Sequence, residues 1–513
     1  MTQFKLSTLL RAVALTGLLS FASYAQAAEY LVKYRNASAL RGMFNLSLNV
    51  TNIHEPGQLL TVHIDDAEKI STMVNLLSNV NVEYVVPNFK LYAITQTPYR
   101  FGAVAEAAAP QPQWALEKVG AQKAWDKAGN KGNRKVVMAV IDTGVDYNHP
   151  NLKPNMVPGY DFAQNDNDPM DTVKAGANPG HGTHCAGIAG ATGLIDGGVS
   201  GLSPEVSIMP IRFLTEDGSG TLQGAIMAID YAIEKKVDIM SNSWGAEVQE
   251  AQATPLIEAV KRAEAAGIVF VAAAGNSGKN NDTAGFYPAN VNANNVINVG
   301  ASDQSDAKPS WSNFGQAKVH VASPGDNIMS TLPSNKYGAL RGTSMAAPLV
   351  SGLVALIKAS DMSLKPSEIR SVLQAAGDTV SISNQANTRI NAGKALEMVT
   401  NKTMFLSPYA GTFGVNEKVQ FTAVYGAAPF TFVSSNPAVA TIDASGAMTA
   451  VAQGDTVISV TDANGVQASS TKIFVGSTAT PPPPGDGGEC PLGDPAICEA
   501  ICQIMPDAPW CKQ

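Results

Sequence analysis

Val136-Val137-Met138-Ala139-Val140-Ile141-Asp142-Thr143-Gly144 decides the fold. An unbroken apolar run rich in β-branched residues suits a strand buried on both faces, because both sets of alternating side chains must leave water. The run stops at a carboxylate and a glycine turn. Further along, Gly220 to Lys235 reads as a helix, Ile268 to Ala273 as a second buried strand, and Ser344 to Ser360 as another helix. Strands alternating with helices across residues 112–400 predict an α/β unit with a parallel sheet covered on both faces. Such sheets carry their ligand sites at the carboxyl ends of strands, where Asp142 stands.

Working outward, residues 28–95 carry short strand patterns at Tyr30 to Tyr34, Leu59 to Ile64 and Val82 to Val86, with helical patterns at Ala39 to Phe44 and Ala67 to Leu77. They predict a small α+β unit. Residues 96–111 are Ala/Pro-rich and read as an exposed connector. Residues 403–476 switch to short strands and turns such as Asn464-Gly465, the pattern of a small all-β sandwich. Pro481 to Pro484 and the following Gly485-Asp486-Gly487-Gly488 make residues 477–489 a stiff-then-flexible linker to a tail at 490–513. Residues 1–27 read as a secretory signal: Lys5 and Arg11, the apolar stretch Ala12 to Ala22, then Ala25-Gln26-Ala27 as a small-x-small cleavage site.

Composition narrows the function. The 513 residues are 45% hydrophobic and 15% charged, enough apolar content for large cores, and the net charge of −8 argues against a nucleic-acid partner. No uncharged apolar run of membrane-spanning length follows the N-terminus, so no membrane span is expected. Cysteine usage agrees with export. Cys185 stands alone mid-chain, while Cys490, Cys498, Cys502 and Cys511 crowd the tail. In an exported chain these four read as two disulfides of undetermined pairing, with a zinc site as the rival.

Three short motifs carry chemistry. Asp142 ends the first strand; His181-Gly182-Thr183-His184 opens the apolar stretch Cys185 to Ala191; Ser344 lies in Gly342-Thr343-Ser344-Met345-Ala346-Ala347-Pro348 at a loop-to-helix boundary. Each alone has an ordinary reading as a turn former or cap. Together they supply a hydroxyl nucleophile, a base to take its proton and a carboxylate to fix the base, in one of the known chain orders.

With Val140-Ile141-Asp142-Thr143-Gly144, His181-Gly182-Thr183-His184-Cys185-Ala186-Gly187 and Gly342 to Pro348, the sequence resembles the subtilisin-like serine proteases, or subtilases, of thermitase-like and proteinase K-like type. The resemblance implies a catalytic domain at 111–400, with Ser344 as nucleophile, His181 as base and then acid, and Asp142 as its orienting carboxylate. Asn276, in Ala273-Ala274-Gly275-Asn276, matches the oxyanion asparagine. His184 is implied to be structural and Cys185 a buried, unused thiol. Ser243-Trp244-Gly245 and Asp217-Gly218-Ser219-Gly220 resemble the segments that flank an extended substrate, and Phe286 falls at the base of the primary pocket, where a ring would favour small or medium residues. Asp161, Asp166, Asp168 and Asp171 crowd one segment, the first three matching ligand positions of a structural calcium ion, with Asp196 a weaker candidate for a second site.

Residues 28–110 resemble an inhibitory prodomain and activation linker, which implies self-cleavage, expected near Ala105 to Pro110 as residues 96–111 cross the site. Residues 403–476 resemble a bacterial immunoglobulin-like domain. The sequence therefore reads as a secreted monomeric endopeptidase made as a zymogen, acting on proteins or peptides and inhibited by its own prodomain. The alternative is a surface-binding protein on a dead protease scaffold.

Overall fold

The structure, a computed structural model, describes residues 29–36, 38–40, 48–65, 68–94, 113–193, 198–476, 498–499 and 501–502. The signal segment, the expected cut at Ala105 to Pro110, Asp196, Cys490 and Cys511 lie outside these residues. The chain divides into two compact units, one formed by residues 1–89 with 483–513, the other by 90–482.

In the first unit, β1 (Glu29–Tyr34), β2 (Asn49–His54), β3 (Leu59–His63) and β4 (Val82–Pro87) form a sheet in the order β2–β3–β1–β4, crossed by helix α1 (Lys69–Leu77). Tyr30, Val32 and Tyr34 alternate onto one face with Leu60 and Val62, and Met73 and Leu76 of α1 cover them. Sequence reading overlooked β2. This edge strand is half-exposed, so no apolar alternation marks it.

The second unit opens with β5 (Lys90–Ala93), α2 (Trp114–Lys118) and α3 (Ala121–Ala128). Its main sheet draws on β6 (Val137–Asp142), β7 (Tyr160–Asp161), β8 (Ser207–Arg212), β10 (Ile239–Asn242), β12 (Val269–Ala273), β14 (Val296–Ser302), β15 (Val321–Pro324), β18 (Asp378–Thr379) and β19 (Thr388–Arg389). These nine strands lie in the order β18–β19–β15–β14–β12–β10–β6–β8–β7, parallel except where β18 pairs with β19. Between them in sequence come β9 (Ser219–Thr221), β11 (Trp244–Glu247), β13 (Phe286–Tyr287) and the hairpin of β16 (Ile328–Leu332) with β17 (Lys336–Leu340). The helices are α4 (His181–Gly190), α5 (Leu222–Glu234), α6 (Glu250–Ala265), α7 (Thr343–Ser360), α8 (Pro366–Ala375) and α9 (Ala392–Thr400). The α/β reading is met. α7 is long and apolar enough to cross a membrane, but 89% of it is buried, and it is the core helix against β10, β12 and β14.

The remaining strands, all within 405–475, form one two-stranded and three three-stranded sheets around Leu406, Phe421, Met448, Ile458, Val460 and Ile473. This is the all-β sandwich expected at 403–476.

Candidate active site

Strands β6, β10 and β12 are parallel neighbours in register, Ile141 beside Asn242 and Asn242 beside Ala272. Their carboxyl ends therefore deliver Asp142, Ser243 and the Ala274-Gly275-Asn276 turn to one edge of the sheet. α4 and α7 then present His181 and Ser344 in their first turns. Asp142, His181 and Ser344 are all at least 99% buried. His181 Nδ1 donates to Asp142 Oδ1 at 2.7 Å, leaving Nε2 with no hydrogen-bond partner.

α4 begins at a glycine and has no cap of its own. Its exposed donors are instead satisfied by three side chains from elsewhere: His181 N by Asn178 Oδ1, Gly182 N by Thr143 Oγ1 and Thr183 N by Asp171 Oδ2, each at 2.9 Å. Asp171 joins the set, since its two oxygens also accept from Thr143 Oγ1, Asn178 Nδ2 and Thr183 Oγ1. Gly182 makes the close approach possible, because a Cβ there would stand 2.1 Å from the Gly144 carbonyl oxygen.

Asp171 stands beside the three residues matched to calcium-ligand positions without being one of them. It lies fully buried behind the Asp142–His181 pair, not among metal ligands, and burial raises its pKa to about 6 against four hydrogen bonds that lower it. Burial also works against charge on His181. The neighbouring Asp142, by charge and hydrogen bond, and then the Asp171 charge, leave the His181 pKa raised nonetheless. His184 behaves differently. Burial lowers it to about 3, it holds Gly338 O through Nε2 at 3.0 Å, and it is neutral and structural. Burial pushes the Cys185 thiol well up, away from the thiolate form that a nucleophile needs.

Pro348 sits inside α7 and lacks the N–H that would bond the Ser344 carbonyl four residues back. That carbonyl accepts instead from Ser243 Oγ at 3.0 Å and Cys185 Sγ at 3.3 Å. The proline thus ties the first turn of α7 to the strand end and to α4.

The cleft is occupied by the chain itself. β5 lies antiparallel between β9 and β11, with Leu91 opposite Gly220, Tyr92 opposite both Ser219 and Gly245, and Ala93 opposite Trp244. Ala93 N donates to Gly218 O and Ile94 N to Ser243 O. Residues 90–94 therefore occupy the site, while the expected 96–111 lie outside the described residues. Ser243, Trp244, Gly245, Gly218 and Gly220 flank this extended segment of the chain.

Ile94 O receives Ser344 Oγ at 2.6 Å and Asn276 Nδ2 at 3.0 Å. The asparagine is fixed from behind, because its Oδ1 accepts from Thr343 N and Thr343 Oγ1. Gly342, at φ 150°, has to be glycine: a Cβ would lie 2.8 Å from Asn276 Nδ2 and 3.1 Å from Ile94 O. A carbonyl held between a serine hydroxyl and an amide donor, with a carboxylate-bound imidazole beside them, is geometry for acyl transfer.

The sequence profile of the subtilase family matches residues 133–395. The chain belongs to the subtilase family. It is 39% identical to thermitase of Thermoactinomyces vulgaris over 287 residues, 56% of this chain and 96% of that protein. It is 38% identical to the thermophilic serine proteinase of Bacillus sp. (strain AK1), covering 62% of this chain and 76% of that protein. The major intracellular serine protease of Bacillus subtilis (strain 168) is 41% identical over 47% of this chain and 74% of its own length. A second profile, the intimin immunoglobulin-like domain, matches residues 415–464. This subtilase is a serine protease of subtilisin-like type carrying an immunoglobulin-like domain.

The calcium set does not close up as arranged. Asp161 is buried and gives Oδ2 to Arg212 Nη1 at 3.0 Å and Oδ1 to Ala163 N and Gln164 N. Asp166 accepts from Asp168 N, and Asp168 accepts from the Tyr147 hydroxyl. The one grouping of metal-type side chains among the described residues is Asp142, His181 and Cys185, which is the catalytic cluster itself. Asp161, Asp166 and Asp168 form no such grouping among the described residues.

Proposed function

We propose that this subtilase is a secreted endopeptidase made as a zymogen, which cuts its own chain first at the Ile94–Thr95 bond. The seat of Ile94 O between Ser344 Oγ and Asn276 Nδ2 carries the proposal. In this reading the Ser344 hydroxyl turns from that oxygen to the free Nε2 of His181, which takes its proton as Oγ attacks the Ile94 carbonyl carbon. The charge that moves onto Ile94 O is stabilised by Asn276, and the imidazolium by Asp142. His181 then protonates the Thr95 nitrogen as the peptide bond breaks. Water, deprotonated by His181, hydrolyses the acyl-enzyme and returns Ser344.

Residues 29–94 act in this reading as a substrate that becomes a product-like inhibitor, because β5 keeps its ladder to β9 and β11 after the cut. The basic and apolar N-terminal sequence supports export. The participation of Cys498 and Cys502 in disulfides supports two bridges in the tail and an oxidising destination. Proteins and peptides in extended form are the substrates, added as a strand between β9 and β11.

The test is expression of the wild type beside Ser344→Ala, followed by N-terminal sequencing and casein hydrolysis. The wild type should yield a chain beginning at Thr95 and digest casein, and the variant should remain uncut and inactive. A product beginning between Ala105 and Pro110 with no Thr95 species, or processing of the variant, would overturn the Ile94 assignment.

A further inference from the structure

The two ends of the chain share one core. Cys498 and Ile501, separated by three residues on a short helical turn, point the same way and are 5% and 0% exposed, while Glu499 between them faces solvent. They pack in the cluster formed by Tyr30 and Val32 of β1, Val62 of β3, and Met73 and Leu76 of α1. The immunoglobulin-like domain has a separate core that includes none of them. The tail is accordingly part of the same compact unit as residues 1–89, although more than 400 residues separate them in sequence.

We propose that the four-cysteine tail is an intramolecular docking element for the N-terminal inhibitory unit, so that cutting after Ile94 does not free the inhibitor. This rests on the zymogen reading above. Once the Ile94–Thr95 bond is broken, the N-terminal fragment is joined to the protease by two non-covalent attachments. One is the β5 strand in the cleft. The other is the core around Cys498 and Ile501, which remains covalently continuous with the catalytic chain through residues 477–497.

Two attachments on one tether act together. Each rebinding is intramolecular, at an effective concentration on the order of millimolar for a short flexible connection, and retention exceeds that of either contact alone by about 10²–10⁴. The disulfides at Cys498 and Cys502 hold the docking turn in shape, which spares it an ordering cost on binding. The Pro/Gly linker becomes the second lock. Its Pro/Gly-rich, unpatterned sequence suits it to a later cut, and that cut releases the inhibitor and the tail as one particle.

The experiment uses the full-length chain carrying Ser344→Ala, with recognition sequences for two unrelated site-specific proteases inserted after Ala105 and after Gly485. The protein folds intact and is cut afterwards, so neither insertion relies on its own activity. After the first cut alone, the N-terminal fragment should co-elute with the catalytic chain in gel filtration at nanomolar concentration. After the second cut it should leave about 10²–10⁴ times faster, with the tail peptide bound to it.

Ile501→Asp should speed release after the first cut alone. Hydrogen exchange in α1 of the uncut protein, with and without that substitution, reports the same contact without any dissociation step. An unchanged release rate after the second cut, or a tail peptide that stays with the catalytic fragment or elutes by itself, would overturn the proposal. Inhibition of mature enzyme by the isolated N-terminal fragment is scored separately. Its absence sinks the inhibitor reading, while co-elution of tail and fragment still decides the docking.

Discussion

Phe286 is predicted to set the size of the residue that this protease cuts after. It lies on β13, paired with β11 through Glu247, and its ring packs against Gly245 and Gly275. A Cβ on Gly245 would meet ring atoms at 2.6 and 2.8 Å, and one on Gly275 would meet the ring at 3.2 Å. The residue is 6% exposed, and in this reading its ring takes up space that a substrate side chain would otherwise enter. The wild type should therefore cleave matched peptides after Ala, Val or Ile faster than after Phe, and Ile94 is itself a residue of this class. Phe286→Gly removes the obstruction. Burying a substrate phenylalanine in the space is worth about 1.5–3 kcal/mol, which converts to a gain of roughly 10- to 150-fold in kcat/KM for Phe over Ala. The deletion leaves a buried void and costs on the order of 3–5 kcal/mol of stability, so turnover should be compared well below the Tm of both proteins. A wild type that prefers Phe, or a variant whose Phe-to-Ala ratio does not move, would refute the argument.

The same geometry makes further predictions. Asn276→Ala should lower kcat by about 10²–10³ with little change in KM, the loss measured for one such donor in subtilisin; an unchanged kcat would remove Asn276 from the site. Because the His181 pKa is raised, the acid limb of kcat/KM should lie above the ordinary imidazole value near 6.5. Asp171→Asn takes away one of the charges that raise it, so the limb should move to lower pH, whereas simple loosening of α4 would lower the rate without moving the limb. Asp171 also links stability to pH. Its pKa of about 6 exceeds the ordinary 3.8, so its contribution to stability is present below about pH 4 and lost as pH rises through 6. The change is roughly 3 kcal/mol, and it should disappear in Ser344→Ala/Asp171→Asn when urea unfolding is compared at pH 4 and pH 7. Finally, iodoacetamide at pH 8 should leave Cys185 unmodified in the native protein and alkylate it in urea, as read by mass spectrometry.

The sequence by itself determined the parts whose physics is local. A buried strand ending in Asp142, a helix opening at His181 and another opening at Ser344 are written in contiguous stretches, because a parallel sheet needs unbroken apolar strands and its ligands gather at their ends. The all-β character of 403–476 was legible for the same reason. The half-exposed β2 was not, since its side chains obey no simple alternation.

Tertiary structure decided what depends on partners distant in the chain. Ile94 meets Ser344 across 250 residues, and nothing in its own stretch of sequence marks it out. Asp171 stands in an acidic run that reads equally as a metal loop. Only the folded positions of Thr143, Asn178 and Thr183 turn it inward behind the imidazole. Asp161 pairs with Arg212, a buried guanidinium 51 residues away that must be neutralised. The tail shows the limit most plainly. Cysteine spacing could announce disulfides, but the burial of Cys498 and Ile501 beside Met73 and Leu76 arises only when both ends of the chain meet, because a short helical turn has no core of its own and must borrow one.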